Sequence, residues 1–482
     1  MTTTTLRPQI ITSVNSSTSF VNPAGYKTAA MIGTAQWGPL DTATTISTIS
    51  EYLRTFGSDT ASGLTGIRGA DLFFRNGGVL NFVRIEGASA EASAASVLIL
   101  EKSAADLIDL EAKYKGTYGD NISAQVTTTG SNRNLIITDG VSIENYNNAG
   151  VGYTSSTLLI AAVTAKSNLV TATLHSGASG TDLPDALSKT QLASGDDGAT
   201  VVIGDYTTAL SDVLYSEDFQ YLLVPSITTD SELLTLTDAL VLREANERKF
   251  AVLISGVAVD ETILDMAART SSSGSKRCRL VAPNAVYTER VASAETTLDG
   301  SYLACAVAGM LCSLNYSSSA THKTVSVDDL SILVSTGKKY YNKVEQEQVL
   351  QSGIIPVTLI GRNIQVVRDV TRIGDTTSVY FSGSVSDIVD YATAQLEDYL
   401  NTIIGMPSTT TNMKVWGSQC DSILEQMFKS NIITEFETTA ITEGSSANSL
   451  DVVVSIQPAY SVDFIYLTIT IWGDERKWQK II

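Results

Sequence analysis

The chain has 482 residues, of which 43% are hydrophobic and 17% charged, and a formal net charge of −19. That length suits about three domains, and the charged share lies below the roughly 25% usual in soluble domains, as in proteins whose surfaces meet other protein. The acidic balance argues against nucleic acid or an anionic membrane as main partner, because both demand basic patches. It also keeps free subunits soluble and mutually repelling.

The four cysteines, Cys278, Cys305, Cys312 and Cys420, form no CxxC pair, and His175 and His322 are the only histidines. Buried free thiols and synthesis in a reducing cytosol are expected. The opening Met1-Thr-Thr-Thr-Thr-Leu-Arg7 lacks a basic-plus-apolar leader. The longest nearly apolar run, 302–314, is too short for a bilayer and predicts a buried helix.

Residues 1–24 carry almost no charge and hold Ile10, Ile11 and Val14 between Pro8 and Pro23. They cannot build a core alone, so an extended arm seeking a partner surface is expected. From Tyr26 the pattern predicts a strand at 29–34, a turn at Gly38-Pro39, helices at 49–56 and 67–75, and a strand at 79–85. Gly57 and Asn76-Gly77-Gly78 stop the two helices. This is the start of an α/β layer.

Between 118 and 195 the character changes. Short runs at 122–128, 134–139, 142–146, 158–163 and 169–174, separated by Gly, Asn and Ser, predict strands of an inserted β module. The acidic turn Gly195-Asp196-Asp197-Gly198 is its exit. The α/β pattern then resumes, with strands at 219–224, 250–254 and 279–282 and helices at 231–248, 261–269 and 302–314. Ala304, Ala306, Ala308 and Gly309 in the last helix allow close packing. A mostly parallel sheet with right-handed crossovers is implied.

A third unit is expected from 328 onward. Runs at 354–360 and 364–370 pair around Gly361-Arg362-Asn363, a long amphipathic helix covers 387–404, a shorter one 421–429, and a strand 432–437. The chain closes on Leu450-Asp-Val-Val-Val-Ser-Ile-Gln-Pro-Ala-Tyr-Ser-Val-Asp-Phe-Ile-Tyr-Leu-Thr-Ile-Thr-Ile471. Its alternation of β-branched and aromatic residues predicts a hairpin of 452–456 and 462–471, broken at Pro458. Val452, Val454, Ile456, Val462, Phe464, Tyr466, Thr468 and Thr470 are the candidate linking positions of this hairpin. The division expected is an arm at 1–24, an α/β core at 25–117 and 196–327, the inserted β domain at 118–195, and an α+β C-terminal domain at 328–482.

Chemistry finds little support. Gly33-Thr-Ala-Gln-Trp-Gly38 lacks both the GxGxxG spacing and a phosphate-loop Lys. Asp196, Asp197, Asp205 and Asp212 lack the alternating ligand pattern of a calcium loop, so a solvated turn is expected. Neither histidine sits in a nucleophile motif. Lys338, Lys339 and Lys343, interleaved with Tyr340 and Tyr341, form one basic island suited to a solvated face or a protein contact. No enzyme, metal or cofactor is expected.

Ala29-Ala-Met-Ile-Gly-Thr-Ala-Gln-Trp-Gly-Pro39, Tyr52-Leu-Arg-Thr-Phe-Gly57 and Phe73-Phe-Arg-Asn-Gly-Gly78 with Phe82-Val-Arg84 resemble the opening of contractile-tail sheath proteins of bacteriophages and related injection machines. Lys113-Tyr-Lys-Gly-Thr-Tyr-Gly-Asp-Asn121 resembles that family's lead into its inserted domain, with Tyr118 where Trp is more usual. Gly195-Asp-Asp-Gly198 with Asp205-Tyr206 resembles the return to the core, and Gly353-Ile-Ile-Pro356 with Val366-Val-Arg-Asp-Val-Thr371 the C-terminal domain. The resemblance implies a homopolymer of hexameric rings stacked around a tail tube, whose contraction drives the tube through a cell envelope. It implies as partners the subunit itself, the tail tube protein, and baseplate and terminator proteins. It further implies that terminal segments cross to neighbours, that the C-terminal domain faces the tube, and that the inserted domain points outward. A non-contractile virion or surface assembly protein is the alternative, and would form rings or monomers instead of tubes.

Overall fold

The computed structural model describes residues 27–57, 64–87, 95–197, 200–269, 274–289, 294–446 and 448–462. The chain begins with β1 (Thr28–Gly33), β2 (Ala43–Ile46), α1 (Ile49–Phe56), α2 (Gly66–Phe74) and β3 (Val79–Arg84). It leaves this layer for β4 (Val97–Lys102), β5 (Ala105–Ala112), β6 (Ser123–Thr129), β7 (Asn132–Thr138), β8 (Ile143–Tyr146), α3 (Ser156–Lys166), β9 (Val170–Leu174) and β10 (Leu187–Gln191). It returns through α4 (Ile203–Thr208), β11 (Tyr221–Leu223), α5 (Asp230–Glu247), β12 (Val252–Gly256), α6 (Ile263–Arg269) and β13 (Cys278–Ala282). Next come β14 (Asn284–Thr288), β15 (Glu295–Leu298), α7 (Gly300–Ser313), β16 (Asp329–Ser331), α8 (Lys343–Gln351), β17 (Ile354–Ile360) and β18 (Asn363–Val366). The last described elements are α9 (Gly383–Ile403), α10 (Thr410–Lys429), β19 (Ile433–Phe436), β20 (Ala440–Glu443), β21 (Leu450–Val453) and β22 (Ile456–Pro458).

An eight-stranded sheet of order β18-β17-β13-β12-β11-β1-β3-β2 is the frame. Its six inner strands pair in parallel, and the edge strands β2 and β18 are antiparallel. Parallel strands are buried on both faces, and the side chains here alternate between two cores. Ala29, Met31, Tyr221, Leu223 and Ile254 face α1, α2 and α7. Ala30, Ile32, Leu222, Leu253 and Leu280 face α4, α5, α6 and α8. The expected alternation of strands and helices is thus a three-layer α/β/α sandwich.

Local signals set the helix ends. Thr48 accepts a hydrogen bond from Glu51 at the start of α1, and Gly57, at φ 87°, ends it. Among the helices, α7 is buried along almost its whole length. A Cβ on Gly309 would lie 2.2 Å from the Phe73 carbonyl oxygen, so only glycine lets α7 touch α2 this closely.

The chain from β4 to β10 forms a separate cluster built on two sheets, β4-β5-β9 and β10-β6-β7-β8. The strand predicted at 158–163 is instead the helix α3. The run Leu-Leu-Ile-Ala-Ala-Val fits either state by periodicity. Ser155 caps the Leu158 N–H, and Leu159 and Val163, one turn apart, bury together. The cluster also includes Leu100, Leu107, Ile108 and Leu110, from strands that precede residue 118.

Two expectations for the C-terminal third are corrected. β17, expected in a separate unit, pairs with β13 in the main sheet, because Ile354, Ile355 and Val357 are apolar toward both helical layers. The helix predicted at 421–429 is the second half of α10, which starts eleven residues earlier under the Thr409 cap. Gly417 is buried with Trp416, Cys420, Leu424 and Met427 along one stripe, which carries the helix past it.

Candidate functional site

The linking positions Ile10, Ile11, Val14, Phe464, Tyr466, Thr468 and Thr470 lie outside the described residues. The described part of the predicted hairpin is not one strand but two. Val452 pairs with Ile441 in the ribbon β20–β21, while Ile456 pairs with Phe436 in the ribbon β19–β22. Ile456 is buried with Ala392 of α9 and Leu424 and Met427 of α10, with Val454 packed against them. Val462 is 77% exposed. Neither ribbon has a third strand among the described residues, so each offers unpaired backbone groups to an added strand.

Two joints hold the elements around this region. The first fastens α9 to the sheet through buried charge. Asp387 of α9 accepts from Tyr221 Oη at 2.6 Å and from Lys27 Nζ at 3.3 Å, and it pairs with Arg279. Arg279 also donates to the Gly383 carbonyl at 2.8 Å and lies 3.5 Å from Asp369. Arg277 bonds Glu244 at 2.6 Å and pairs with Asp390, one turn beyond Asp387 on α9. Lys27 Nζ sits 4.7 Å from the Tyr316 ring, which stacks on Tyr391 of α9 at 4.0 Å.

Burial alone would push the Asp387 carboxyl up, but Arg279 and Lys27 hold it below the usual aspartate range. Burial likewise opposes the Arg279 charge, and Asp387 and Asp369 more than restore it. Losing one member strands the others, which costs about 3–5 kcal/mol in such buried pairs. The sequence carries a signal for this joint. Arg277 and Arg279 alternate with Cys278 in an apolar strand, which places both on one face, and Asp387 and Asp390 lie three apart on one helix face.

The second joint is the neck between the sheet layer and the inserted module, where the scattered family-like motifs meet. Arg84, at the end of β3, donates to the Gly38 carbonyl at 2.9 Å and the Lys115 carbonyl at 3.1 Å. Asp120 accepts from Ser96 Oγ at 2.6 Å and Gly195 N at 3.0 Å. Asp197 accepts from Thr117 N at 2.8 Å and its hydroxyl at 2.7 Å. The outgoing and returning strands of chain are therefore tied to each other. Trp37 plugs the neck, with Tyr114 and Tyr118 centroids 5.0 and 5.2 Å away. Burial and Asp139 push the Tyr118 hydroxyl up to about 12. Gly116 has φ 119°, and a Cβ there would lie 2.8 Å from Asp197.

The other candidates resolve into structural roles. Asp197 closes the neck, and Asp205 accepts from the Val202 N–H ahead of α4. In the basic island, Lys339 pairs with Asp329 at 2.5 Å, Lys338 pairs with Glu345, and Tyr340 donates to Asp329 at 2.8 Å. All four cysteines are free and buried. Among the described residues, no group of His, Cys, Asp and Glu could hold a metal ion, and no helix is long and apolar enough to cross a membrane.

No curated protein sequence matches the chain. The family model of the phage tail sheath protein central domain matches residues 199–372, the stretch from α4 through β18. In fold, the chain is similar to a sheath tail protein from Desulfitobacterium hafniense, with 16% identity, a TM-score of 0.66 and coverage of 96% of this chain and 99% of that one. A sheath tail protein from Listeria innocua gives 16% identity and a TM-score of 0.67, over 91% and 93% of the two chains. The helical sheath of the anti-feeding prophage in its contracted state gives 13% identity and a TM-score of 0.54, over 97% and 99%. The family match at residues 199–372 and these likenesses agree that the chain has the fold of the tail sheath proteins of phages and contractile injection systems.

Proposed function

We propose that this chain is the sheath subunit of a contractile tail or injection particle. It polymerises as stacked hexameric rings around a tail tube, bounded by baseplate and terminator proteins, and its contraction drives the tube through a cell envelope. The observation that carries this reading is mutual: sheath subunits and this chain cover each other almost end to end, with the central-domain match on the sheet layer. In this reading the arm at 1–24 and the strand at 462–471 cross to neighbours and extend the open ribbons. The module from β4 to β10 points outward. No cofactor is required, since the energy lies in the difference between two packings of rigid cores. Each backbone hydrogen bond of an added strand contributes roughly 0.5–1.5 kcal/mol net, so several loaded together hold a link while the cores slide.

Deleting residues 1–20 tests this. The expected product is a folded monomer by circular dichroism that forms no tubes in negative stain, whereas the full chain does. Tubes of normal length from the truncated protein, or rings alone from the full chain, would refute the reading.

A further inference from the structure

A cleft of about 400 Å³ lies between α9 and the end of α5, beside the residues that lead into β11 and β12. Its walls carry six carboxylates against three cations. Some of this charge is already matched: Asp387 and Asp390 by the cations of the α9 joint, and Asp218 by Lys249 at 3.0 Å. Arg243 is committed to the Glu217 carbonyl and the Phe219 ring. Glu247 and Asp398 make no ion pair among the described residues. Burial and the nearby Asp218 hold the Asp398 carboxyl above its ordinary value, a repulsion that an entering cation would relieve. Tyr391 lines the same wall, and guanidinium groups pack well on aromatic rings.

One edge of the sheet is basic. Gly361-Arg362 is the turn between β17 and β18, closed by the Ile360–Asn363 pair, and Arg362 is exposed with no ion pair among the described residues. No Asp or Glu occurs from Gln348 to Arg368, nor from Gly300 to Val327, where the His322 and Val325 N–H groups donate to β18. Exposed Lys323 lies on that edge as well. The parallel register sets Val252 level with Tyr221, Leu253 with Cys278 and Leu280 with Ile354, so the Arg362 turn stands about 30 Å along the strands from the cleft. One chain therefore cannot seat its own turn in its own cleft.

We propose that the Arg362 turn of one copy of this chain docks in the cleft between α9 and α5 of a second copy, its guanidinium meeting Asp398 and Glu247. Charge complementarity selects this occupant. Copies with a net charge of −19 repel over most of their surface, and an acid-free turn facing an acid-rich cleft is a place where they attract. Because the two surfaces sit at opposite ends of one sheet, the contact is head-to-tail and repeats from copy to copy. It rests on the sheath reading, which supplies the neighbour, and adds to it a contact between bodies beside the links made by the arms. Exposed at its rim, the pair is screened by salt and separates without opening a buried joint, as sliding cores require.

The test uses the full chain with Arg362→Glu, with Asp398→Lys, and with both. Both side chains are at the surface, so the variants should melt as the parent does. Each single reversal should raise the concentration needed for assembly about tenfold by light scattering, and the double reversal should restore it. Single reversals that assemble like the parent, or a double reversal no better than either, would overturn the proposal. A second arm bridges Arg362→Cys to Asp398→Cys with a short bismaleimide in a mixture of ¹⁴N- and ¹⁵N-labelled protein, where the buried native thiols do not compete. Links between light and heavy chains are expected, at least tenfold above an Arg362→Cys, Lys166→Cys control. Linking no greater than the control overturns the contact whatever assembles, and if tubes still form the sheath reading stands. Such links without tubes in negative stain would support the contact and refute the sheath.

Discussion

The two joints solve the same problem, attaching a unit to the central sheet, with opposite physical means. The α9 joint buries Lys27, Arg277, Arg279, Asp369 and Asp387 almost completely and satisfies charge with charge. The neck uses neutral and charge-assisted hydrogen bonds to partly exposed Asp120 and Asp197, plus a plug of three aromatic rings. A buried ionic joint resists partial opening, because any half-open state leaves an uncompensated charge in a dry setting. A wet joint can loosen bond by bond, with water replacing each lost partner. The difference teaches that α9 is built to move as one body with the sheet, while the module is built as an appendage.

The sharpest way to break this contrast is Asp387→Asn. It leaves Arg279 and Lys27 facing a neutral group and should cost about 3–5 kcal/mol in the core's urea unfolding transition. A loss under about 1 kcal/mol would mean that the α9 joint is as forgiving as the neck. Next comes Trp37→Ala, which should remove roughly 3 kcal/mol from the module by emptying its plug. Its signature is local: earlier proteolysis between residues 95 and 197, with an unchanged core transition.

Acid should discriminate between the joints with a smaller effect. Asp387 and Glu244 are held below their ordinary values in the fold. Their contribution is therefore complete above the unfolded values, about 4, and is lost as pH falls through the lower folded values. Thermal melts from pH 6 to pH 2.5 should show core stability declining below about pH 4, and Asp387→Asn should flatten that decline. The smallest effect belongs to Asp197→Ala, which removes two exposed hydrogen bonds to Thr117. About 1 kcal/mol is expected, read as faster amide exchange at 113–121 without a shift in the core.

The sheet layer was legible because its strands are apolar runs and its helices carry caps. The segment 49–56, read as a helix stopped by Gly57, folds over those same residues, with Thr48 as its cap. Legibility failed where one pattern serves two states, as at 158–163, where the cap at Ser155 outweighs a strand-like run. It failed again at 452–456, since alternation cannot say that the chain changes partner after Val453. The neck motifs were recognised singly, but nothing in their spacing says that Arg84, Lys115 and Gly38 share one set of hydrogen bonds.

The sequence by itself determined most local elements and the acidic character of the chain, since propensity, capping and periodicity act over a few residues. Only the tertiary structure decided that β17 belongs beside β13, that Arg277 and Arg279 meet the acidic face of α9, and that Lys27 is held by an aspartate 360 residues away. Such pairings depend on how whole layers stack, and a buried charge is tolerable only where the finished fold brings its counterpart.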